Sequence, residues 1–315
     1  MEWIVIMRQG LLWLSERQGM FNFVRRNGLA RKFASRFVAG ETIDTGVAAA
    51  RDLSTRGITS SLDLLGESVT AEAEATAARD LYLSMLDRMA ESGVEVNVSV
   101  KPTQMGLDIS EDLCLANMTR ILEKAKALQG FVRLDMEGSD YTQRTLDFFS
   151  RRLFPVYGHH CGVVIQSMLR RSEQDVNDLI ALGARVRLCK GAYLEPPEVA
   201  FPDKADVDRN YIRLMQRLMR DGNYPGLATH DEAIIRQALD FARDQGIAND
   251  RFEFQMLYGV RRDLQERLRQ AGYRMRVYIP FGTQWYPYLM RRLAERPANI
   301  AFLLGNLVRE SVPGR

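Results

Sequence analysis

Eight short segments rich in β-branched and apolar residues recur along the 315-residue chain, beginning at Ile58, Val94, Phe131, Gly162, Ala184, Leu227, Phe252 and Tyr273 and spaced on average about 31 residues apart. That interval suits one strand plus one helix. The intervening stretches have helical character. Thr70 to Glu91 is Ala-rich with acidic residues early, Ser110 opens SEDLCLANMTRILEKAKAL, Ser172 opens SEQDVNDLIAL with an S-x-x-D start, and Asp231 opens DEAIIRQALDFARDQG. Such residues favour helix N-termini. Eight alternations joined by right-handed crossovers can close on themselves, so the economical α/β fold is a (β/α)8 TIM-type barrel. A doubly wound open sheet competes, but no G-x-G-x-x-G follows an expected strand and no G-x-x-x-x-G-K-[ST] occurs. Residues 1–57 read as an N-terminal helical extension packed on the barrel, and 58–315 as the barrel with its C-terminal helix.

Composition narrows the function classes. The 43 Lys+Arg against 40 Asp+Glu leave a formal charge of +3, with no basic tract to serve as a nucleic-acid footprint. No nucleic-acid partner is expected. Cys114, Cys161 and Cys189 are odd in number, far apart and set in apolar stretches, and so read as buried thiols of a reducing compartment, the cytoplasm. The N-terminus has Glu2 and places Arg8 within its apolar run, unlike a signal peptide, and that run is too short to span a bilayer. Packed helices are the preferred reading of this region. The alternative is a peripheral contact with the inner face of a membrane through Trp3, Trp13 and Phe21 beside Arg8, Arg17, Arg25 and Arg26.

Alternation within the strands assigns faces. Valines occupy 94, 96, 98 and 100 while Glu95, Asn97, Ser99 and Lys101 take the other parity; Arg133, Asp135 and Glu137 oppose Val132, Leu134 and Met136. Likewise Arg185 and Arg187 oppose Val186 and Leu188, and Arg274, Arg276 and Tyr278 oppose Met275, Val277 and Ile279. The outer face of a barrel packs on helices and should be apolar, so the polar parity points inward. An interior holding Glu95, Asp135 and Glu253 with Arg133, Arg185, Arg187 and Arg276 demands pairing, because a lone buried ion costs several kcal/mol or more.

Barrel active sites lie at the C-terminal ends of the strands. The last inward residues there are Lys101, Asp135, Glu137, Gln166, Arg187, Lys190, Thr229, His230, Gln255 and Tyr278, with more cations than anions, which favours an anionic ligand. After Gly282, WYPYLMRRLAERP sets Tyr288, Arg291, Arg292 and Glu295 close together, with Glu295 at i+4 from Arg291. A solvated ion-paired helix face is the plain reading. Two adjacent guanidinium forks beside a barrel mouth also suit a carboxylate or phosphate. The three histidines have no metal-site spacing, and no G-x-S-x-G is present. A Schiff-base lyase using Lys101 or Lys190, or a non-catalytic carboxylate-binding barrel, remains open on these residues.

The segments SVKPTQMGLD, FVRLDME, VVIQS, RLCKGAY, ATHD, FEFQMLYGV, YIPFG and WYPYLMRRLAERPAN, running in order from about Asp63 to Leu307, resemble the signature series of the proline dehydrogenase family. The short chain is similar to the monofunctional bacterial enzymes. The resemblance implies FAD-dependent oxidation of L-proline to Δ1-pyrroline-5-carboxylate by hydride transfer to flavin N5, in a distorted barrel, with electrons passed to a quinone. It implies that Lys101, Arg291 and Arg292 bind the proline carboxylate, that Tyr278 and Leu257 pack on the ring, and that Glu295 holds the arginine pair. Asp135 and Arg187 match the activity-linked acid and arginine, and Met136, Gln166, Lys190, Gly191, Ala192, Thr229 and His230 match the FAD contacts. One local departure is Pro102, where relatives commonly carry Leu.

Overall fold

A computed structural model describes residues 34–286 and 288–290. After helix α1 (Ile43–Thr55) the chain runs β1 (Thr59–Leu64), α2 (Glu72–Glu91), β2 (Asn97–Val100), α3 (Glu111–Ala127), β3 (Phe131–Leu134), α4 (Ser139–Phe148) and α5 (Phe154–Tyr157). It continues through β4 (Cys161–Gln166), α6 (Ser172–Leu182), β5 (Arg185–Cys189), α7 (Lys204–Asp221), β6 (Gly226–Ala228), α8 (Glu232–Asp244), β7 (Glu253–Leu257), α9 (Arg262–Gln270) and β8 (Met275–Phe281). Every neighbouring strand pair is parallel, and β8 pairs back onto β1 from Thr59↔Arg276 to Leu64↔Phe281, closing the barrel. The eight expected strands are all present. The membrane-facing alternative for Trp3, Trp13 and Phe21 lies outside the described residues, among which no helix is long and apolar enough to cross a membrane.

Local chemistry explains the helices. Thr42 and Thr45 form a reciprocal capping box on α1, Ser110 accepts from the Leu113 amide at the start of α3, and Asp231 accepts from the Ala233 amide at the start of α8. At α6 the expected serine cap gives way. The cap position is Arg171, Asp175 pairs with that arginine, and the Ser172 hydroxyl donates instead to the Gln166 carbonyl at 2.5 Å. Between α4 and α5 the helix widens into a π-turn over Phe149–Leu153. Pro155 just beyond has no N–H to continue an i→i−4 ladder, which accounts for the altered hydrogen bonding there.

The strands obey the parity read from the sequence. Val98, Val100, Leu134, Val186, Leu188, Phe254, Val277 and Ile279 are buried and belong to the apolar layer shared with the helices. Inside, the barrel is filled by charged and amide side chains where such barrels more often stack branched aliphatics. At its N-terminal end Arg276 donates through Nε to Glu253 at 2.8 Å and through Nη2 to Glu95 at 2.9 Å. Burial alone would raise the Glu253 carboxyl, but Arg276 outweighs it and holds Glu253 at about 2. Among the described residues, Arg133 and Arg185 have no carboxylate of their own. Both guanidinium groups lie over Phe131, at 4.7 and 4.4 Å from the ring centroid, and Arg133 donates to the Arg185 carbonyl at 2.9 Å. Gly162 makes this possible, since a Cβ there would lie 2.9 Å from Arg133 Nη1 and 2.4 Å from the Arg185 carbonyl oxygen.

A smaller core joins the two ends of the described chain. Ala34, Val38 and Leu65 pack with Trp285, Tyr286, Tyr288, Leu289 and Met290, and the Trp285 indole donates to Glu41 at 3.0 Å.

Candidate active site

A cleft of about 1920 Å³ opens at the C-terminal ends of the strands. Lys101, Asp135, Met136, Gln166, Arg187, Lys190, Gly191, Ala192, Thr229, His230, Leu257 and Tyr278 all line it. Arg291, Arg292 and Glu295 lie outside the described residues.

Four of the expected residues form one bonded group on the cleft floor. Arg187, from β5, donates through Nη1 to Asp135 at 2.8 Å and to Ser99 at 3.1 Å, and through Nε to Gln255 at 2.5 Å. The Tyr278 hydroxyl, from β8, donates to the other oxygen of Asp135 at 2.9 Å, and the Arg187 guanidinium sits 5.2 Å from the Tyr278 ring centroid. Both carboxylate oxygens of Asp135 are therefore engaged. Burial and the Asp135 and Asp63 charges push the Tyr278 phenol well above its ordinary value, so it remains a hydrogen-bond donor. Gln255 links this group to the lower network, its amide N–H donating to Glu253 at 2.6 Å while its oxygen accepts from Arg187. The Glu253 carboxylate accepts only, so it dictates which way the Gln255 amide faces.

Lys101 follows β2 and points into the same floor, where Nζ lies 2.9 Å from Asp63 and 3.9 Å from Asp135. Burial by itself would lower the ammonium, but the two carboxylates outweigh burial and hold it above the ordinary lysine range. Pro102 does not draw Lys101 away from the site. It opens a tight turn in which the Pro102 carbonyl accepts the amides of Met105 and Leu107.

The rim differs from expectation in its charge balance. Among the described residues, three of its cations each meet a carboxylate: Lys101 with Asp63, Arg187 with Asp135, and Lys190 with Asp208 at 2.5 Å and Asp231 at 3.0 Å. The reason is desolvation, which penalises any partly buried charge lacking a partner. Glu137 also differs, since it turns away to accept from the Thr103 hydroxyl at 2.6 Å and burial raises its carboxyl. Cys189 is only half-buried and lines the cleft, unlike buried Cys114 and Cys161. His230 uses Nε2 to accept the Leu257 amide at 2.9 Å, tying the end of β6 to β7.

Asp63, Asp208 and Asp231 are the residues the sequence reading missed. For Asp63 a signal existed, because Ser61 and Asp63 alternate with Leu62 and Leu64 as the inward residues of other strands do.

Comparison with known proteins accounts for this arrangement. The family model described as proline dehydrogenase matches residues 47–304. Proline dehydrogenase of Deinococcus radiodurans is 42% identical over 305 residues, covering 96% of this chain and 98% of that protein, and proline dehydrogenase 2 of Bacillus subtilis strain 168 is 40% identical, covering 97% and 100%. Among solved structures, proline utilization A from Bdellovibrio bacteriovorus inactivated by N-propargylglycine superposes with a TM-score of 0.80 at 27% identity, over 90% of this chain and 34% of that one. A chain matched along most of its length by this family model, and along nearly all of it by curated enzymes, belongs to the proline dehydrogenase family, whose reaction is the oxidation of proline.

Proposed function

We propose that the chain oxidises L-proline to Δ1-pyrroline-5-carboxylate with FAD held in the cleft. The carrying observation is the floor group in which Lys101, Asp135, Arg187 and Tyr278 meet at the open end of the barrel.

The cleft residues suit a flavin cofactor on several grounds. Gln166 Oε1 and Arg187 Nη2 are buried and without a partner, one an acceptor and one a donor, as the edge of an isoalloxazine requires. Gly191 follows β5 in the left-handed region at φ +110° and lines the cleft between Lys190 and Ala192, where a residue without a side chain lets a phosphate approach the backbone closely. Lys190 is the cation of that cradle, and a phosphate there takes its ammonium from Asp208 or Asp231. When bound, FAD supplies the hydride acceptor, flavin N5, and the route by which the electrons leave to a quinone. Met136, Thr229 and His230 also line the cleft and complete the set assigned to the cofactor.

The chain's own residues hold and orient the substrate. Lys101 presents a permanent positive charge to the proline carboxylate, joined in this reading by Arg291 and Arg292. Tyr278 and Leu257 face the pyrrolidine ring, and the Tyr278 phenol disfavours a hydroxylated ring by its bulk. Asp135, bonded through one oxygen to Arg187 and through the other to Tyr278, orients both side chains. Alignment of the C–H bond and exclusion of water are what this pre-bonded floor contributes to rate. The ion-paired state of Lys101 argues against a Schiff-base lyase, which needs a neutral amine.

Anaerobic titration of the flavin-loaded protein with proline tests the reading. The oxidised flavin absorbance should bleach and return on addition of a quinone. A protein that binds no FAD, or a bound flavin that proline leaves oxidised, refutes it. Repeating the quinone step with a membrane-embedded quinone after removal of residues 1–33, which spares the small core of Ala34 and Val38, tests the alternative that the N-terminus contacts a membrane.

A further inference from the structure

Asp63 lines the cleft beside Lys101. Its side chain is fully buried in β1. One oxygen accepts from Lys101 Nζ at 2.9 Å, and the other, Oδ2, is buried without a hydrogen bond among the described residues, the nearby Tyr278 hydroxyl being committed to Asp135. A buried carboxylate with an idle oxygen is costly to keep, and an apolar residue of similar size would spare the barrel that cost. What its presence provides is a fixed position for one ammonium group.

We propose that Asp63 is a positioning residue for proline oxidation, anchoring Lys101 Nζ at the cleft floor as a cation that receives the substrate carboxylate. The inference rests on the reading of Lys101 as a carboxylate ligand. An ammonium has three donors. Asp63 takes one, and Asp135 at 3.9 Å is beyond hydrogen-bond length, its oxygens being used by Tyr278 and Arg187. The remaining donors belong to a side chain that lines the cleft. Without Asp63 the four-carbon stem can swing onto Asp135 and compete with the two groups Asp135 orients.

The charged and titratable groups around Lys101 come from every adjoining element. Asp63 on β1 and Asp135 after β3 favour its charge, as does the buried Tyr82 phenol of α2, while burial opposes it. Arg187 on β5 and Tyr278 on β8 bond to Asp135, and Glu137 beyond β3 also feels the ammonium. Asp63 is the nearest anion. Its removal should bring Lys101 closer to losing its proton at alkaline pH.

The test compares Asp63→Asn, Lys101→Met and the double variant in the full chain loaded with FAD. Asp63→Asn should raise KM for proline about tenfold, the scale of one weakened charge-assisted contact, with a smaller change in kcat. It should also move the alkaline limb of kcat/KM to lower pH. The double variant should be no worse in KM than Lys101→Met alone, because Asp63 acts through that lysine. A folded, flavin-bound Asp63→Asn protein with unchanged KM and pH profile overturns the proposal, and so does a double variant clearly weaker than Lys101→Met. If Asp63→Asn alone does not fold, the double variant against Lys101→Met still decides. If Lys101→Met itself leaves KM unchanged, the carboxylate reading of Lys101 fails, and the role of Asp63 falls with it.

Discussion

Replacing Glu253 by Gln removes the anion at the centre of the lower network while keeping its size. The carboxylate accepts from Arg276 at 2.8 Å, from Gln255 at 2.6 Å and from the Tyr224 hydroxyl at 3.1 Å, and the residue is 2% exposed. The difference between the ordinary 4.5 and about 2, at about 1.36 kcal/mol per pH unit, corresponds to about 3 kcal/mol. Breaking one side of a buried pair independently suggests about 3–5 kcal/mol. Arg276 keeps Glu95, whose side chain is 45% exposed and screened by water, so the lower figure is the better expectation. Because the folded carboxyl titrates below the unfolded one, its stabilisation is fully present above the unfolded value and is lost as pH falls from 4.5 towards about 2. Urea unfolding of both proteins, from about pH 7 down to about pH 3, should show a gap of about 3 kcal/mol that narrows through this window. A gap below about 1 kcal/mol near neutrality, or one that does not change with pH, would refute the reasoning.

Other perturbations address the mouth of the barrel. Gly191→Ala places a methyl group against Met168 at a φ of +110°, and FAD affinity measured by flavin fluorescence should fall about tenfold or more, at about 1–3 kcal/mol of backbone strain; wild-type affinity would remove this glycine from the cradle. Tyr278→Phe deletes the 2.9 Å bond to Asp135, and kcat/KM for proline should fall by about tenfold while hydroxyproline loses less, narrowing the preference; equal losses for both substrates would contradict the assignment. Arg291→Met and Arg292→Met should each raise KM for proline at about 1.5–3 kcal/mol per lost contact with an intact flavin spectrum, and unchanged kinetics in either refutes the clamp. Burial pushes the Cys161 thiol up to about 12 and raises Cys114 as well, so neither should react with a thiol reagent at neutral pH until the protein unfolds; rapid labelling of either would contradict the packing.

The barrel was legible because parity survives without tertiary context: a strand such as Val94 to Lys101 announces both faces in its own letters. Lys101, Asp135, Arg187 and Tyr278 converge as that parity requires. Partners were less legible. That Arg187 pairs with Asp135, or that Lys190 faces Asp208 and Asp231, depends on which strands and helix starts become neighbours, and pairing across 52 or 41 residues leaves no periodic trace. Asp63 escaped notice because the apolar run Leu62 to Leu65 hides its single charge. The serine cap of α6 failed for a different reason, competition, since the Gln166 carbonyl and Arg171 claimed both members of the motif. The flavin itself came from family resemblance, which no spacing in the chain would supply.

The closed register has a consequence for folding fidelity. In most barrels a strand that slips by one residue exchanges one hydrophobic side chain for another and leaves a merely loosened core. Here a one-residue slip of β5 would drive Arg185 and Arg187 into the greasy seam beneath the helices and strand Asp135 and Gln255 without their partner. Near-native competitors thus carry unneutralised charge in oil, and they are separated from the correct assembly by a wide energy gap. The polar groups on the cleft floor therefore also proofread the barrel that carries them.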